Sequence, residues 1–230
     1  MRARTFCRKF PSRIRAAAPR PTITVAARER PALVLVEGIY DVEFLCRISA
    51  VLSCGDPSIP DLKSLERAGR LIFVPFGGGD PGFWATRFAP LGLSEVHIYD
   101  RETLCDTDLR MLAAASVNSR VNAEAFVMRR RSIENYIHPD VLNAAFGIRV
   151  ALSEDGDIVA TIADALLKQT CRDLDHSQLS RRGRRRLKLH VKRKLNHDVV
   201  SRMTPALLNE SDPLGEVRSW LNAIGCVSDR

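Results

Sequence analysis

The chain has 230 residues, 45% of them hydrophobic and 27% charged, with a formal net charge of +8. That length can bury one good core with room for a small appendage, and no apolar run reaches the roughly 18 residues a membrane span requires. The charge is unevenly placed. Residues 1 to 30 carry nine Arg/Lys against one Glu, residues 181 to 194 carry nine basic side chains and no acidic one, and the rest sums to −9. An acidic body beside a dense basic strip suits metal binding next to a polyanion.

The segment up to residue 30 is rich in Arg, Ala and Pro without a period, and reads as a basic, disordered N-terminal arm or a transit peptide. Ala32-Leu33-Val34-Leu35-Val36 is an apolar run that stops at Glu37-Gly38, the pattern of a buried strand. An amphipathic helix follows through residues 42 to 48. A second strand over residues 70 to 76 ends in Gly77-Gly78-Gly79-Asp80, and residues 81 to 89 read as a helix. Residues 95 to 99 form a third strand, and the following helix over 106 to 115 has Asp106 or Thr107 as a cap. A fourth strand covers 123 to 129, and Pro139 opens a helix over 138 to 146. Strands alternating with helices predict an α/β fold with a largely parallel, doubly wound sheet. Beyond Gly147 the chain reads as mainly helical, over 158 to 170, 180 to 195 and 214 to 224, with Pro205 and Pro213 as punctuation.

The strand ends carry the chemistry. Glu37 stands at the carboxyl end of its strand, where open α/β sheets hold ligands. Asp41 falls in the first turn of the next helix, a position that also suits a helix cap. Asp100 and Glu102 follow the third strand, on one side of an extended chain because side chains alternate with period two. Glu134 follows the fourth strand. Carboxylates gathered at one sheet edge make an oxygen ligand set for a hard cation such as Mg²⁺ or Mn²⁺. Asp106 and Asp108 read as ordinary helix-start acids, and Asn135 and Tyr136 as packing or orienting residues. The triple glycine lacks the Lys-Ser/Thr of a nucleotide P-loop, so the chain is not itself a Walker-type ATPase. Six cysteines show neither a C-x-x-C pair nor metal spacing with histidine; several sit in apolar patterns, which suggests reduced, buried thiols of a cytoplasmic protein.

The segments Val36-Glu37-Gly38-x-x-Asp41-x-x-Phe44-Leu45 and Tyr99-Asp100-Arg101-Glu102 resemble the Toprim domain of topoisomerases, primases and some nucleases. Arg131-Ser132-Ile133-Glu134-Asn135-Tyr136 resembles the nuclease domain of the overcoming-lysogenization-defect (OLD) family. The resemblance spans about residues 31 to 146, and the basic segment extends it. It departs from the family at 100–102, where Asp-x-Glu stands in place of Asp-x-Asp. The resemblance implies a Toprim/Rossmann-like, mostly parallel sheet over residues 31 to 147, ahead of the helical C-terminal region that the sequence pattern gives over 148 to 230. It also implies a metal-dependent endonuclease that hydrolyses DNA phosphodiester bonds. By it the metal ligands are Glu37, Asp41, Asp100, Glu102, Ser132 and Glu134, holding two ions: Glu37, Asp100 and Glu102 one, Asp41 with Glu134 the second. The catalytic set is Glu37, Asp100, Glu134 and a downstream lysine, Lys192, with Lys188 and Lys194 as alternatives. A covalent tyrosine at Tyr99 would need a larger, topoisomerase-like machine.

In the basic strip, Leu187, Val191 and Leu195 recur at helical spacing and dock one side. Arg181, Arg182, Arg184, Arg185, Arg186, Lys188, Lys192, Arg193 and Lys194 are then left to meet nucleic-acid phosphates, binding through counterion release. Two other readings share these residues: a non-catalytic nucleic-acid-binding or regulatory module serving a separate ATPase, since OLD-type Toprim domains are commonly joined to one, and a nuclease that processes structured RNA.

Overall fold

The computed structural model describes residues 30–102, 104–149, 153, 155–170 and 180–228. The basic arm expected over residues 1 to 30 lies, but for Arg30, outside them. Strand β1 (Ala32–Val36) is five apolar residues, all buried, because it runs through the middle of the sheet. Helix α1 (Ile39–Ser53) returns along it, α2 (Leu62–Arg67) follows, and β2 (Leu71–Pro75) pairs with β1. Helix α3 (Pro81–Arg87) leads to β3 (Glu95–Tyr99), which crosses to the other side of β1. Helix α4 (Leu104–Asn118) then delivers β4 (Ala123–Val127) to the outer edge. The strand order is β2-β1-β3-β4, all parallel.

The chain therefore moves outward from β1 to β2, then doubles back to β3. That reversal puts the topological switch point between the carboxyl ends of β1 and β3, the crevice where such sheets bind ligands. Val36 is in register with Ile98, so the residues following both strands emerge side by side.

Period-two alternation divides the sheet into two faces. Leu33, Leu35, Tyr99 and Ala125 pack with Ala85 of α3 and Ala113, Ala114 and Val117 of α4. On the other face Ala32, Val34, Val36, Val96 and Ile98 join a larger cluster with Phe44, Leu45 and Ile48 of α1. That cluster runs on into the C-terminal helices: α5 (Pro139–Phe146), α6 (Ile158–Thr170), α7 (Arg181–Lys194), α8 (Pro205–Ser211) and α9 (Glu216–Ser228). Val191, Leu195, Val217, Trp220, Leu221 and Ile224 belong to it. The C-terminal third thus forms a wall of the sheet's own core.

The expected strands are all present. Three details differ. Helix α2, capped by Asp61 whose carboxylate accepts from the Lys63 and Ser64 amides, is too short to show a period. Helix α4 starts at Leu104, so Thr107 lies inside its first turn, and its hydroxyl donates to the Arg101 carbonyl. Pro205 opens α8 at its first position, where the missing N–H matters least. Of the described cysteines, Cys46 is buried, which pushes its thiol up to about 12, whereas Cys54 and Cys226 are exposed. Among the described residues no helix is long and apolar enough to cross a membrane.

Candidate metal centre

Glu37 directly follows β1 and Gly38 caps α1 in extended backbone. Asp41 does two things at once. Its Oδ2 accepts the Gly38 amide at 2.6 Å, closing the helix start, while Oδ1 is buried without a hydrogen-bond partner. Asp100 directly follows β3 at 4% exposure, and its Oδ1 is likewise buried and unpartnered. Buried acceptors are almost always satisfied in folded proteins, so the Asp100 oxygen, which no cation pairs among the described residues, calls for an unseen partner.

Glu102 reaches the crevice by a route its spacing does not suggest. It is not the next outward residue of an extended strand; its φ is +55°, the left-handed region, and its amide donates to the Arg131 carbonyl at 3.1 Å. For a side chain with a Cβ that conformation costs about 1 to 2 kcal/mol. The turn, rather than strand alternation, brings Glu102 beside Asp100. Glu37, Asp100 and Glu102 each offer a carboxylate oxygen within 4.8 Å of the others. Oxygens bound to one ion at roughly 2.0 to 2.6 Å lie no further apart than about 5 Å, so this set fits a single hard cation.

Glu134 comes from a 3₁₀ turn, Ile133–Tyr136, between β4 and α5. It is 1% exposed, and its Oε1 accepts from Asn196 Nδ2 at 2.8 Å and lies 3.4 Å from Lys192 Nζ. The same ammonium is 3.9 Å from Asp41 Oδ1. Ser132 caps the turn: its hydroxyl donates to Asn135 Oδ1 at 2.9 Å, and Asn135 in turn donates to the carbonyls of Ser153 and Gly156. Ser132 thus fixes the segment that carries Glu134. Tyr136 packs edge-on against Trp220 and donates to Glu216 at 2.7 Å, an anchoring role as expected. Tyr99 is fully buried with its hydroxyl on His97, on the sheet face away from α1, so it cannot attack a substrate.

Crowding these side chains into one crevice shifts their protonation. Burial pushes Asp41 up to about 7, with Glu134 and Glu37 adding and Lys192 opposing. Burial, then the charges of Asp41, Glu37 and Glu134, drive Asp100 well above the ordinary carboxylate range. Burial works against the Lys192 charge, but Glu134, Asp41 and Asp100 outweigh it and raise its pKa, so it stays an ammonium. Proton-hungry carboxylates crowded without enough positive charge are what a divalent cation relieves.

Two neighbours have no sequence signal. Arg110 of α4 places Nε 2.7 Å from Glu37 Oε1, and Asn196, in the π-helical turn after α7, holds Glu134. Both are isolated polar residues brought in over 73 and 62 positions of chain.

Helix α7 docks through Val191, with Leu187 against the core and Leu195 beyond its end. Arg181, Arg182, Arg184, Arg185 and Arg186 are exposed, as is Arg193. Arg181, Arg182, Arg184, Arg185 and Lys188 line one surface groove, and Lys188 lies 3.4 Å from Asp157. Lys194 is different: its ammonium donates to the Ala145 carbonyl at 2.8 Å and sits 4.4 Å over the Phe146 ring.

No protein-family model matches the chain, and no curated protein matches it in sequence. Its fold is similar to the C-terminal region of the OLD protein of Xanthomonas campestris pv. campestris, with a TM-score of 0.50 at 12% identity, covering 88% of this chain and 97% of that one. At that identity the likeness speaks for the fold.

Proposed function

We propose that this chain is a divalent-metal-dependent nuclease that hydrolyses phosphodiester bonds of DNA at the crevice between β1 and β3. The observation that carries the reading is the convergence of Glu37, Asp100 and Glu102 within 4.8 Å at the switch point, beside a buried Asp100 oxygen with no partner. The motif resemblance and the fold likeness to an OLD C-terminal region support it. Glu37, Asp100 and Glu102 would hold Mg²⁺ or Mn²⁺. When bound there, such an ion supplies positive charge that polarises the phosphodiester and activates water.

The chain's own residues do the rest. In hydrolysis a water oxygen bonds to phosphorus, the bond to one sugar oxygen breaks, and that oxygen takes up a proton. Lys192, charged and a third exposed, would offset the negative charge that grows on the phosphoryl oxygens. Asn196 and the Ser132–Asn135 turn hold Glu134 in place. The arginines of α7 lead from solvent toward Lys192 and would grip the flanking phosphates.

The test is incubation of the purified protein with supercoiled plasmid, linear duplex and structured RNA, each with Mg²⁺ or Mn²⁺. DNA is expected to be cut, with cleavage lost on chelation and in Glu37→Ala while DNA binding persists. Binding without cleavage under either metal would overturn the reading in favour of a regulatory module; cleavage of RNA alone would change the substrate class.

A further inference from the structure

We propose that the Lys192 ammonium takes the place of a second metal ion, so that this site works with one divalent cation; the inference rests on the metal reading above. The acidic residues fall into two groups of different character. Glu37, Asp100 and Glu102 bring three carboxylate oxygens within 4.8 Å of one another; Arg110 Nε is 2.7 Å from Glu37 Oε1, but Asp100 Oδ1 has no partner. Asp41 and Glu134, the pair a second ion would use, already face a cation: Lys192 Nζ lies 3.4 Å from Glu134 Oε1 and 3.9 Å from Asp41 Oδ1.

That placement is built in by the helix. Val191 and Leu195, on either side of Lys192 along the chain, are both fully buried, which fixes the register of the last turn of α7. Asn196 stands one turn beyond Lys192, and its Nδ2 donates both to the Lys192 carbonyl at 3.0 Å and to Glu134 Oε1 at 2.8 Å. Residues four apart on a helix share a face, so lysine and asparagine address one carboxylate oxygen together. The Asn196 amide donates to Glu134 Oε1, and the Lys192 ammonium lies 3.4 Å from the same oxygen. On the Asp41 side, Oδ2 is held by the Gly38 amide, leaving Oδ1 turned toward the ammonium. A single positive charge thus lies within 4 Å of both carboxylates, and an ion entering there would have to displace it.

The count of bound ions decides the matter independently of activity. Titration of the full chain with Mn²⁺, followed by electron paramagnetic resonance and by calorimetry, is expected to give one ion per chain. Lys192→Met removes the ammonium while keeping the stem, and is expected to take up a second Mn²⁺; Lys192→Gln serves the same purpose if the first variant does not fold. Lys192→Arg restores a cation and is expected to return to one, and Lys188→Met, whose charge meets Asp157 instead, stays at one. Two ions of similar affinity in the wild type would overturn the inference while leaving the metal reading intact, as would a single ion in both Lys192→Met and Lys192→Gln. No Mn²⁺ bound to the wild type would overturn the metal reading itself.

Discussion

Strand β3 builds two buried polar clusters a few residues apart, and they behave in opposite ways. On the face toward α3 and α4, Glu95, His97 and Tyr99 form a ladder: His97 bonds Glu95 at 2.8 Å and Tyr99 at 2.9 Å, while Arg120 meets both oxygens of Glu95 at 2.7 and 3.0 Å. At the strand's end Asp100 keeps an oxygen with no partner. Burial opposes the charge of both carboxyls. For Glu95 the bonds from His97 and Arg120 outweigh it and lower the pKa; for Asp100 burial wins and the neighbouring acids add to it. A buried acid whose bonds are complete is part of the scaffold. One left incomplete, five positions on, awaits something from solution.

Substituting each cluster in turn separates these roles. Asp100→Asn is expected to lower cleavage at least about a thousandfold, roughly 4 kcal/mol of transition-state stabilisation. It should leave the metal-free fold within about 1 kcal/mol of wild type, because the asparagine resembles the protonated acid. Glu95→Leu should do the reverse. Stripping the partner from Arg120 and His97 is expected to cost about 3 to 5 kcal/mol in urea unfolding, with metal affinity in the surviving folded protein close to wild type. Equal stability losses in the two variants would erase the distinction between scaffold and site.

The same contrast explains what could be read from the chain alone. Apolar runs ending abruptly in acids mark β1 and β3 and so expose Glu37 and Asp100, because a buried strand forces a sharp change of composition at its end. The sheet class follows from the alternation of elements. Glu102 was expected from the right motif but for the wrong geometric reason, since a left-handed turn leaves no trace in hydrophobic periodicity. Arg110 and Asn196 are single polar residues on helices, chosen by tertiary contact with acids far away in sequence. Nor does spacing separate Lys192 from Lys188 and Lys194, which share its helix, and the resemblance asks only for a downstream lysine. It is the contacts with Asp41 and Glu134 that set Lys192 apart. The packing of α9 on the sheet depends likewise on which helix faces meet, which amphipathic pattern does not specify.

A smaller effect follows from protonation. Unfolded, Asp41 titrates near its ordinary 3.8; folded, burial holds it at about 7. Between those values the folded chain keeps a proton that the unfolded chain has released, so this group's contribution to stability falls as pH rises from about 4 to 7. Asp100 acts in the same direction. Glu95 acts oppositely, its contribution being lost only as pH falls through its lowered value. His97, whose pKa burial lowers, also opposes the two aspartates, one group against their two. The metal-free protein is therefore expected to have a lower urea midpoint at pH 7 than at pH 5. Saturating Mn²⁺ should shrink or reverse that difference, because the ion favours the ionised carboxylates and stabilises the folded chain. In Glu37→Ala, which lacks a ligand, Mn²⁺ should lose much of this effect.

The smallest expected change lies on α7, and it carries the comparison of complete against incomplete partnerships to the protein's surface. Arg184 is exposed beside the groove it helps to line, so its charge is available to a phosphate. Lys194 is ten residues further along the same helix, but its ammonium already serves the Ala145 carbonyl and the Phe146 ring, tying α7 to the end of α5. Each phosphate neutralised contributes roughly 0.7 to 0.9 to the slope of log affinity against log salt. Arg184→Ala should therefore reduce the slope for DNA binding by about that amount, measured by fluorescence anisotropy over a range of salt. Lys194→Ala should leave the slope unchanged and instead lower stability by about 1 kcal/mol through the lost hydrogen bond and ring contact. If the two variants lower the slope alike, the whole basic strip meets the polyanion and the contacts of Lys194 yield to it. If only Arg184→Ala does, the helix has one side for the nucleic acid and another for its own fold.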